Sequence, residues 1–477
     1  MNRLTVAGTT ILLGIFTAIS VFAVPQPLEL NDYLAQVSAA SPGVKASVLQ
    51  IEGTKEASLE GDLSYIPKFS VLGNYTNDKR QVTNAFYLGS VNSNGNYTFA
   101  IDQQFSTGTT AKLSYNINNS LTTNLSPAFF PGGSFQFSAA QTELDITQPI
   151  WKNGFGVETR ATATLAEATA LASHFGEKFK LKQTLAGAET AYYRLAISRE
   201  ALSLLNDVLD RAKKILDWSE KRVRDQIADK IDVLQAKAAF LTRQLEVENG
   251  KNEERSAALA FNIQRYSTVN DVSETLAPIN TQAILEIKIP NRADVTDDIK
   301  AAEQNERAVV ANNELSKQKA QPDLSLFGSL AYNGVDTYLS NALSNSLTTN
   351  HPMYMVGAKF TFPLFFWETS EIRSGRIKQQ LSAEALTLET KINTNENWED
   401  LLKKFGEAKG RLQMSDEVVN AQKEKLDYEK YRLKLGRTTT FQVLTYEQDY
   451  ANSLINRLHI EQEILSIHAQ MKTYSID

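Results

Sequence analysis

Two long stretches without proline constrain the fold of this chain more than any other feature. They run from Ile150 to Ala277 and from Leu364 to Asp477, and each follows an alternating aromatic segment that ends at Pro149 or Pro363. A helix of about 70 residues is about 105 Å long, because a helix rises about 1.5 Å per residue. An ordinary globular core does not need helices of that length. The sequence therefore predicts two helical rods that span a distance.

Composition favours extended helices and excludes a nucleic-acid binder. Both rods are rich in Ala, Leu, Glu, Lys and Gln, with apolar residues at helical spacing, which is typical of coiled coils. The net charge of −6 gives no basic surface for DNA or RNA. We interpret the apolar stripe of the first rod as helix packing and not as a cofactor site. Its members are Leu165, Ala168, Ala172, Phe175, Phe179, Leu181, Leu185, Ala188, Tyr192 and Leu195.

The N-terminus has the features of a secretory signal peptide. Arg3 precedes an apolar run from Ile11 to Ile19, and small residues end at Ala23. This pattern predicts cleavage after Ala23. An uncleaved membrane anchor is the alternative, but the apolar run is short for a bilayer span, which needs about 20 residues.

The chain contains no cysteine, which excludes disulfides and thiolate metal sites. It also removes the residue to which bacterial lipid anchors are usually attached. No later segment has 18 consecutive apolar residues. If the exported chain spans a membrane, a closed β-barrel is therefore the structure that remains possible.

The chain reads as one unit repeated twice. In each half a polar helical segment leads to a proline and then to a strand-like segment, and a rod follows. These are Leu30–Leu63, Pro67 and residues 68–75 in the first half, and Val295–Lys319, Pro322 and residues 324–332 in the second. The sequence predicts a signal peptide (1–23), a first repeat (24–290) and a second repeat (291–477), each with a helix, strands and a long helical hairpin.

The strand-like segments alternate between apolar and polar residues. Tyr354, Val356 and Phe360 fall on one face, and Met355 and Lys359 fall on the other. A similar alternation from Phe99 to Ile117 surrounds a turn at residues 106–109. Such a pattern, with frequent aromatic residues, is typical of transmembrane β-strands. It also fits an ordinary soluble β-sandwich.

The two halves differ in length between their paired prolines. The first half has 149 − 67 = 82 residues there, and the second has 363 − 322 = 41. The additional residues, within about 80–134, either add two strands to the sheet or form a long external loop. The sequence supports both readings.

The order and duplication of these elements resemble the TolC family of outer-membrane efflux proteins, from Leu28 to about Thr473. The most specific element runs from Tyr431 to Leu444 and is similar to the turn where paired helices of the family meet at the periplasmic tip. The first-half version runs from Lys221 to Leu234.

This resemblance implies an α+β membrane protein with an internal structural duplication. It implies a trimeric transmembrane β-barrel, with about four and possibly six strands per protomer, continued by a long periplasmic α-helical coiled-coil barrel. Four to six strands cannot close a barrel alone, whereas three copies can. The implied location is the bacterial outer membrane, with an extension into the periplasm.

The implied function is that of an exit duct in a tripartite efflux or type I secretion system, which passively conducts small molecules or polypeptides to the exterior. The implied partners are two further copies of the chain, a periplasmic adaptor (membrane fusion) protein, an inner-membrane transporter and outer-membrane lipid. No cofactor is implied.

The resemblance also assigns site residues. The adaptor-docking positions are Gln226, Ile227, Ala228, Lys434, Leu435, Gly436, Arg437 and Thr438. Gln226 replaces the glycine of the family pattern, which leaves the conformation of the first turn open. Asp232 is a gate candidate, or alternatively a helix N-cap. Gln442 and Thr445 occupy the constriction positions, where the best-known family member has acidic residues.

Two other function classes compete with this reading. The four histidines have no metal-ligand spacing and no phosphate-binding glycine loop follows a strand, so we expect no catalytic residues and no metal site. A secreted or surface-attached coiled-coil structural or adhesive protein is the stronger rival. It explains the rods, but not the two strand segments that end in proline in each half.

Overall fold

A computed structural model describes residues 27–81, 83, 91–227, 229–362, 364 and 370–476 of the chain. The predicted signal peptide lies outside the described residues. The helices are α1 (Leu30–Ala40), α2 (Pro42–Ala57), α3 (Val157–Arg224), α4 (Lys230–Gln264), α5 (Thr281–Glu286), α6 (Asp297–Lys319), α7 (Leu339–Ser346), α8 (Ser370–Lys434) and α9 (Thr440–Met471). The strands are β1 (Lys68–Asp78), β2 (Val91–Gln104), β3 (Thr110–Thr123), β4 (Ser134–Pro149), β5 (Asp323–Asp336) and β6 (Pro352–Thr361). Short 3₁₀ helices cover Ser58–Tyr65, Gly154–Gly156 and Lys472–Tyr474.

Each proline-free stretch forms a long helical hairpin. In the first, α3 has 68 residues and α4 has 35. In the second, α8 has 65 residues and α9 has 32. The prediction of two long helical rods is confirmed. Among the described helices, none combines the length and the apolarity that a membrane-crossing helix requires.

The strands form one antiparallel sheet in the order β1-β2-β3-β4-β5-β6. Together, strands β2 and β3 contain most of the additional residues of the first half. This answers the question that the sequence left open, because these residues add two strands, and the sheet has six strands within the described part of the chain. Within the described residues, β1 pairs only with β2 and β6 pairs only with β5, so each end of the sheet is an open edge.

The two faces of the sheet differ in polarity across all six strands. One row of directly paired residues is apolar and consists of Phe69, Ile101, Leu113, Leu144, Leu330 and Tyr354. The adjacent row points to the other face and begins with charges of alternating sign, at Lys68, Asp102, Lys112 and Asp145. Five of the six side chains in the apolar row are exposed, from 38% at Leu144 to 73% at Tyr354. The alternation that the sequence predicted is therefore confirmed.

A short helix that the sequence did not reveal, α7, packs against β4 and β5. The Tyr115 hydroxyl lies 3.0 Å from Ser346 Oγ, and Thr142 Oγ1 donates a hydrogen bond of 3.3 Å to the Ser346 carbonyl. A Cβ atom at Gly334 would lie 2.3 Å from the Ala342 carbonyl oxygen. Glycine therefore allows the helix to approach the strand this closely.

The connection from β4 to α3 depends on left-handed backbone conformations. Asn153, Phe155 and Gly156 all have positive φ angles, of 56°, 50° and 82°. A Cβ atom at Gly156 would lie 1.9 Å from the Ser106 carbonyl oxygen. The Asn153 side chain accepts a hydrogen bond of 3.0 Å from the Thr159 amide, which ties the turn to the first residues of α3. The corresponding polar turn of the second half, residues 366–369, lies outside the described residues.

The described residues form two compact units. The first, the hairpin unit, contains those of Met1–Ser41, Ala188–Ile287 and Lys409–Ser466. The second, the sheet unit, contains those of Pro42–Gly187, Lys288–Ala408 and Ile467–Asp477. Both units combine segments from the two halves of the chain. The boundary between repeats at residue 290 stays a prediction.

Each unit has its own core. In the hairpin unit, the ring of Tyr33 stacks on Phe261 at 4.0 Å between centroids, and its hydroxyl donates to the Phe261 carbonyl at 2.9 Å. In the sheet unit, the ring of Trp398 meets that of Tyr474 edge-on at 6.3 Å between centroids, and half-buried Lys182 pairs with buried Asp297 at 3.0 Å. Within the stripe of the first rod, Ala168, Ala172, Ala188, Tyr192 and Leu195 are buried, which supports its interpretation as a packing surface.

Candidate functional site

The turn between α3 and α4 ends α3 with a Schellman motif. Gln226 has a φ angle of 59°, which is left-handed. Its amide donates to the Val223 carbonyl at 3.1 Å, and the Ile227 amide donates to the Arg222 carbonyl at 2.8 Å. These two bonds satisfy carbonyl groups that the end of a helix leaves without a partner.

The turn between α8 and α9 has the same geometry. Gly436 has a φ angle of 70°. Its amide donates to the Leu433 carbonyl at 3.0 Å, and the Arg437 amide donates to the Arg432 carbonyl at 2.9 Å. The replacement of glycine by Gln226 in the first half therefore leaves the type of turn unchanged. A non-glycine residue in this conformation costs about 1–2 kcal/mol.

Most of the predicted docking positions are accessible. Gln226, Ile227, Lys434, Leu435, Gly436 and Arg437 are exposed, and Thr438 is half-buried. Ala228 lies outside the described residues. The two apolar side chains among them, Ile227 and Leu435, are 65% and 48% exposed. An exposed isoleucine and an exposed leucine at two helix ends leave apolar surface that a partner could cover.

A buried carboxylate, Glu429, supports the α8–α9 turn. It accepts a hydrogen bond from Thr438 Oγ1, and its Oε2 atom lies 3.2 Å from Arg432 Nη1. The other guanidinium nitrogen, Arg432 Nη2, donates to the Arg437 carbonyl at 3.0 Å. Sequence reasoning missed Glu429, because a glutamate in a charged helix carries no signal that it will be buried.

The gate candidate Asp232 lies in the first turn of α4. The N-cap position belongs to Asp229, whose backbone is extended, with φ −85° and ψ 154°. The alternative reading of Asp232 as the N-cap is therefore wrong. Its amide donates to the Asp229 carbonyl at 3.0 Å, and its carboxylate lies near the positive end of the helix dipole. The gate role stays a prediction.

The constriction candidates lie in the first two turns of α9, and both are half-buried. The amide of Gln442 donates to Thr439 Oγ1 at 3.3 Å, which caps the helix. Thr445 Oγ1 donates to the Phe441 carbonyl at 3.0 Å. Neither side chain can ionise near neutral pH, so neither position contributes a charge.

A buried ion-pair cluster lies next to these positions. Glu447 is 4% exposed, and its two oxygens lie 3.0 Å from Arg211 Nε and 2.6 Å from Lys430 Nζ. The cluster links α9 to α3 and α8. Arg211 and Lys430 were not predicted, because 236 residues separate Arg211 from Glu447 in the sequence. Within the described ranges, no three His, Asp or Glu side chains are arranged to hold a metal ion.

Comparison with solved structures shows that the fold of this chain is similar to that of outer-membrane channels. No protein-family model and no curated protein sequence matches the chain. The outer membrane protein VceC from Vibrio cholerae is similar, with a TM-score of 0.61 and 14% identity over 94% of this chain and 97% of VceC. The Campylobacter jejuni CmeC outer membrane channel has a TM-score of 0.60 and 15% identity, over 93% of this chain and 85% of CmeC.

The Neisseria gonorrhoeae MtrE outer membrane channel, solved in an open state, has a TM-score of 0.58 and 14% identity, over 93% of this chain and 88% of MtrE. At this level of identity the likeness concerns the fold. The chain has the fold of outer-membrane channels, as its resemblance to the TolC family implied.

Proposed function

We propose that three copies of this chain form an outer-membrane exit duct. The duct extends into the periplasm, where a periplasmic adaptor and an inner-membrane transporter deliver small molecules or polypeptides in a tripartite efflux or type I secretion system. Transport through it is passive, and the chain carries out no chemical step. The fold of outer-membrane channels supports this proposal.

The structure of the sheet is the main observation in support of the proposal. The sheet has an exposed apolar face, an opposite polar face and, as far as the described residues go, an open edge at each end. In lipid, unpaired backbone groups along an open edge cost several kcal/mol each, so such a sheet must close. Because neighbouring strands are antiparallel throughout, β1 and β6 run in opposite directions. Strand β6 of one copy can therefore pair antiparallel with β1 of the next. Three copies then give 3 × 6 = 18 strands.

A barrel of that size has a consequence for transport. Barrels of 16–18 strands enclose an aqueous channel rather than a core filled by side chains. The polar face of the sheet would line this channel, and it contains Asn96, Asn116 and Asn118 together with the charged row that begins at Lys68. The apolar face would contact lipid.

The two helical turns are the proposed control point of the duct. Adaptor contact at Gln226, Ile227 and Lys434–Thr438, together with Ala228, would stabilise an open arrangement over a closed one. A partner shifts such an equilibrium only by the difference in its affinity for the two states. Asp232, Gln442 and Thr445 are the proposed gate and constriction residues.

Reconstitution of the full-length protein tests this function directly. Purified protein in planar bilayers should give discrete conductance steps, and unheated samples should migrate as a trimer that heating converts to monomers. The protein should fractionate with outer membranes and require detergent for extraction. Recovery in the soluble fraction without conductance would instead support the coiled-coil structural or adhesive protein.

A further inference from the structure

A basic pocket in the hairpin unit suggests the chemistry of the partner. It lies between α3 and the α8–α9 hairpin, next to the turn that contains Gly436, and has a volume of about 700 Å³. The residues that line it are Lys214, Ile215, Trp218, Arg222, Lys430, Leu433, Lys434, Gly436 and Val443. Four of these nine residues are cationic and none is acidic.

Most of this positive charge is uncompensated. Lys430 pairs with Glu447 at 2.6 Å, but Glu447 also pairs with Arg211 at 3.0 Å, so that cluster keeps one net positive charge. Among the described residues, no carboxylate lies within 4 Å of a side-chain nitrogen of Lys214, Arg222 or Lys434. Cations held close together repel each other, and a bound anionic group relieves this repulsion.

The remaining walls of the pocket are apolar and aromatic. The guanidinium carbon of Arg222 lies 4.6 Å from the centre of the Trp218 ring, which holds the ring and the cation together. Val443 is buried at the base, and Leu433 and Ile215 complete the apolar surface. A free phosphate ion would fill only a small part of this volume and would contact none of the apolar surface. The pocket instead fits a segment with both carboxylates and apolar side chains.

We infer that the basic pocket docks an acidic, amphipathic helical segment of a partner protein. Carboxylates of that segment would pair with Lys214, Arg222 and Lys434, and an apolar residue beside them would pack on Trp218. A helix laid in a groove uses such anchors at spacings of three and four residues. Identifying the partner as the periplasmic adaptor rests on the proposed function, whereas the preference for an acidic segment does not.

Fluorescence anisotropy with the detergent-solubilised, full-length protein tests this inference. One labelled helical peptide consists of Leu, Ala and Glu, and its matched control has Gln in place of each Glu. We expect the glutamate peptide to bind at least about tenfold more tightly than the control, because each of the three ion pairs adds about 0.5 kcal/mol of binding free energy. Its affinity should also fall with added salt, which screens exposed charges.

Variants assign the binding to this pocket. The triple variant Lys214→Gln, Arg222→Gln, Lys434→Gln should weaken binding of the glutamate peptide by about tenfold or more. A control variant, Lys237→Gln, Arg255→Gln, Lys423→Gln, removes the same charge from exposed positions of the hairpin unit and should bind as the unchanged protein does. Binding should also change the tryptophan fluorescence, and Trp218→Phe should abolish that change.

Three results would overturn the inference. The first is equal affinity for the two peptides, and the second is equal loss of binding in the two triple variants. In the third, the unchanged protein does not bind the glutamate peptide and the pocket variant alters trimer dissociation, because a neighbouring copy fills the pocket. Conductance in planar bilayers is measured on the same samples. Conductance without peptide binding refutes the basic pocket alone, and peptide binding without conductance refutes the channel alone.

Discussion

Gln226 at the end of α3 has the same left-handed backbone conformation as Gly436 at the end of α8. Their φ angles are 59° and 70°, and the hydrogen bonds that follow them match. The two turns thus share one geometry although their residues differ. Only the glycine adopts this geometry without steric cost.

Exchanging residue types at these two positions should therefore have opposite effects. Gln226→Gly should stabilise the α3–α4 turn by about 0.5–1 kcal/mol, and Gly436→Ala should destabilise the α8–α9 turn by about 1 kcal/mol. No atom lies within 4 Å of a Cβ at Gly436, so the cost is confined to the backbone. Hydrogen exchange of the Ile227 and Arg437 amides measures the opening of each turn.

A glycine in the interior of α8 provides the control. Gly410 also has open space around a Cβ atom, and its φ angle is that of a helix. Gly410→Ala should stabilise α8 by up to about 1 kcal/mol, because alanine is the better helix former. Slower exchange at Arg437 in Gly436→Ala would contradict the assignment of a strained position.

Removing the charge of Glu447 should destabilise the hairpin unit strongly. Glu447→Gln leaves Arg211 and Lys430, whose side chains are 32% and 36% exposed, beside a buried neutral group, and we expect a cost of about 1–3 kcal/mol. Glu463 on the same helix pairs with Arg411 at 2.7 Å, but both side chains are more than 40% exposed. Glu463→Gln should therefore cost less than about 1 kcal/mol. Chemical denaturation followed by circular dichroism compares the two, and equal midpoints would refute the prediction.

The stability of the hairpin unit should also depend on pH through Glu461. Burial is the main cause that raises the pKa of this carboxyl above its ordinary value of 4.5. The hydrogen bond from Thr281 and the charge of Arg457 lower the pKa, whereas the negative charges of Glu200 and Asp416 raise it further. The native state therefore holds the proton more tightly than the unfolded state does. Stability should fall as the pH rises from about 4.5 to the higher pKa of the folded protein, and then level off.

Glu461→Gln removes this dependence, since the glutamine cannot ionise. The difference in unfolding free energy between the unchanged protein and the variant should slope downward over that pH window and be flat above it. Glu463→Gln, at a more exposed position on the same helix, is the matched control for the substitution itself. If this difference instead rose with pH, Arg457 and not burial would determine the direction in which the pKa of the Glu461 carboxyl is shifted.

The rods and the strand ends followed from sequence because their signals are local. Prolines mark the ends of helices and strands, and the spacing of apolar residues can be read over a few helical turns or one strand. These signals predicted both hairpins and the alternation around Tyr354 and Val356. The sequence did not decide whether β2 and β3 form strands or a loop. In runs such as 92–96 and 116–120, polar and apolar residues alternate too weakly to exclude a loop. The Arg211–Glu447–Lys430 cluster could not be predicted, since it depends on which faces of three helices meet.

The junction between β4 and α3 should tolerate substitution of Gly154 but not of Gly156. Gly156→Ala places a Cβ atom 1.9 Å from the Ser106 carbonyl oxygen, in a left-handed conformation, so the backbone must shift. Gly154 has no atom within 4 Å of a Cβ. We expect Gly156→Ala to cost at least about 2 kcal/mol and to reduce the heat-modifiable trimer in outer membranes, with Gly154→Ala close to the unchanged protein. Equal trimer yields would contradict the close approach at Gly156.

Neighbouring residues on β6 provide the sharpest test of the assignment of the two faces. Val356 belongs to the apolar face and is 89% exposed, and Met355 belongs to the polar face. If the apolar face contacts lipid, Val356→Lys should destabilise the inserted protein by about 2–4 kcal/mol near the bilayer midplane. Met355→Lys adds the same charge to the polar face and should leave insertion intact, because that side chain would face water. Trimer yield in outer membranes and conductance distinguish the two variants. Loss of the trimer in Met355→Lys but not in Val356→Lys would show that the faces are reversed.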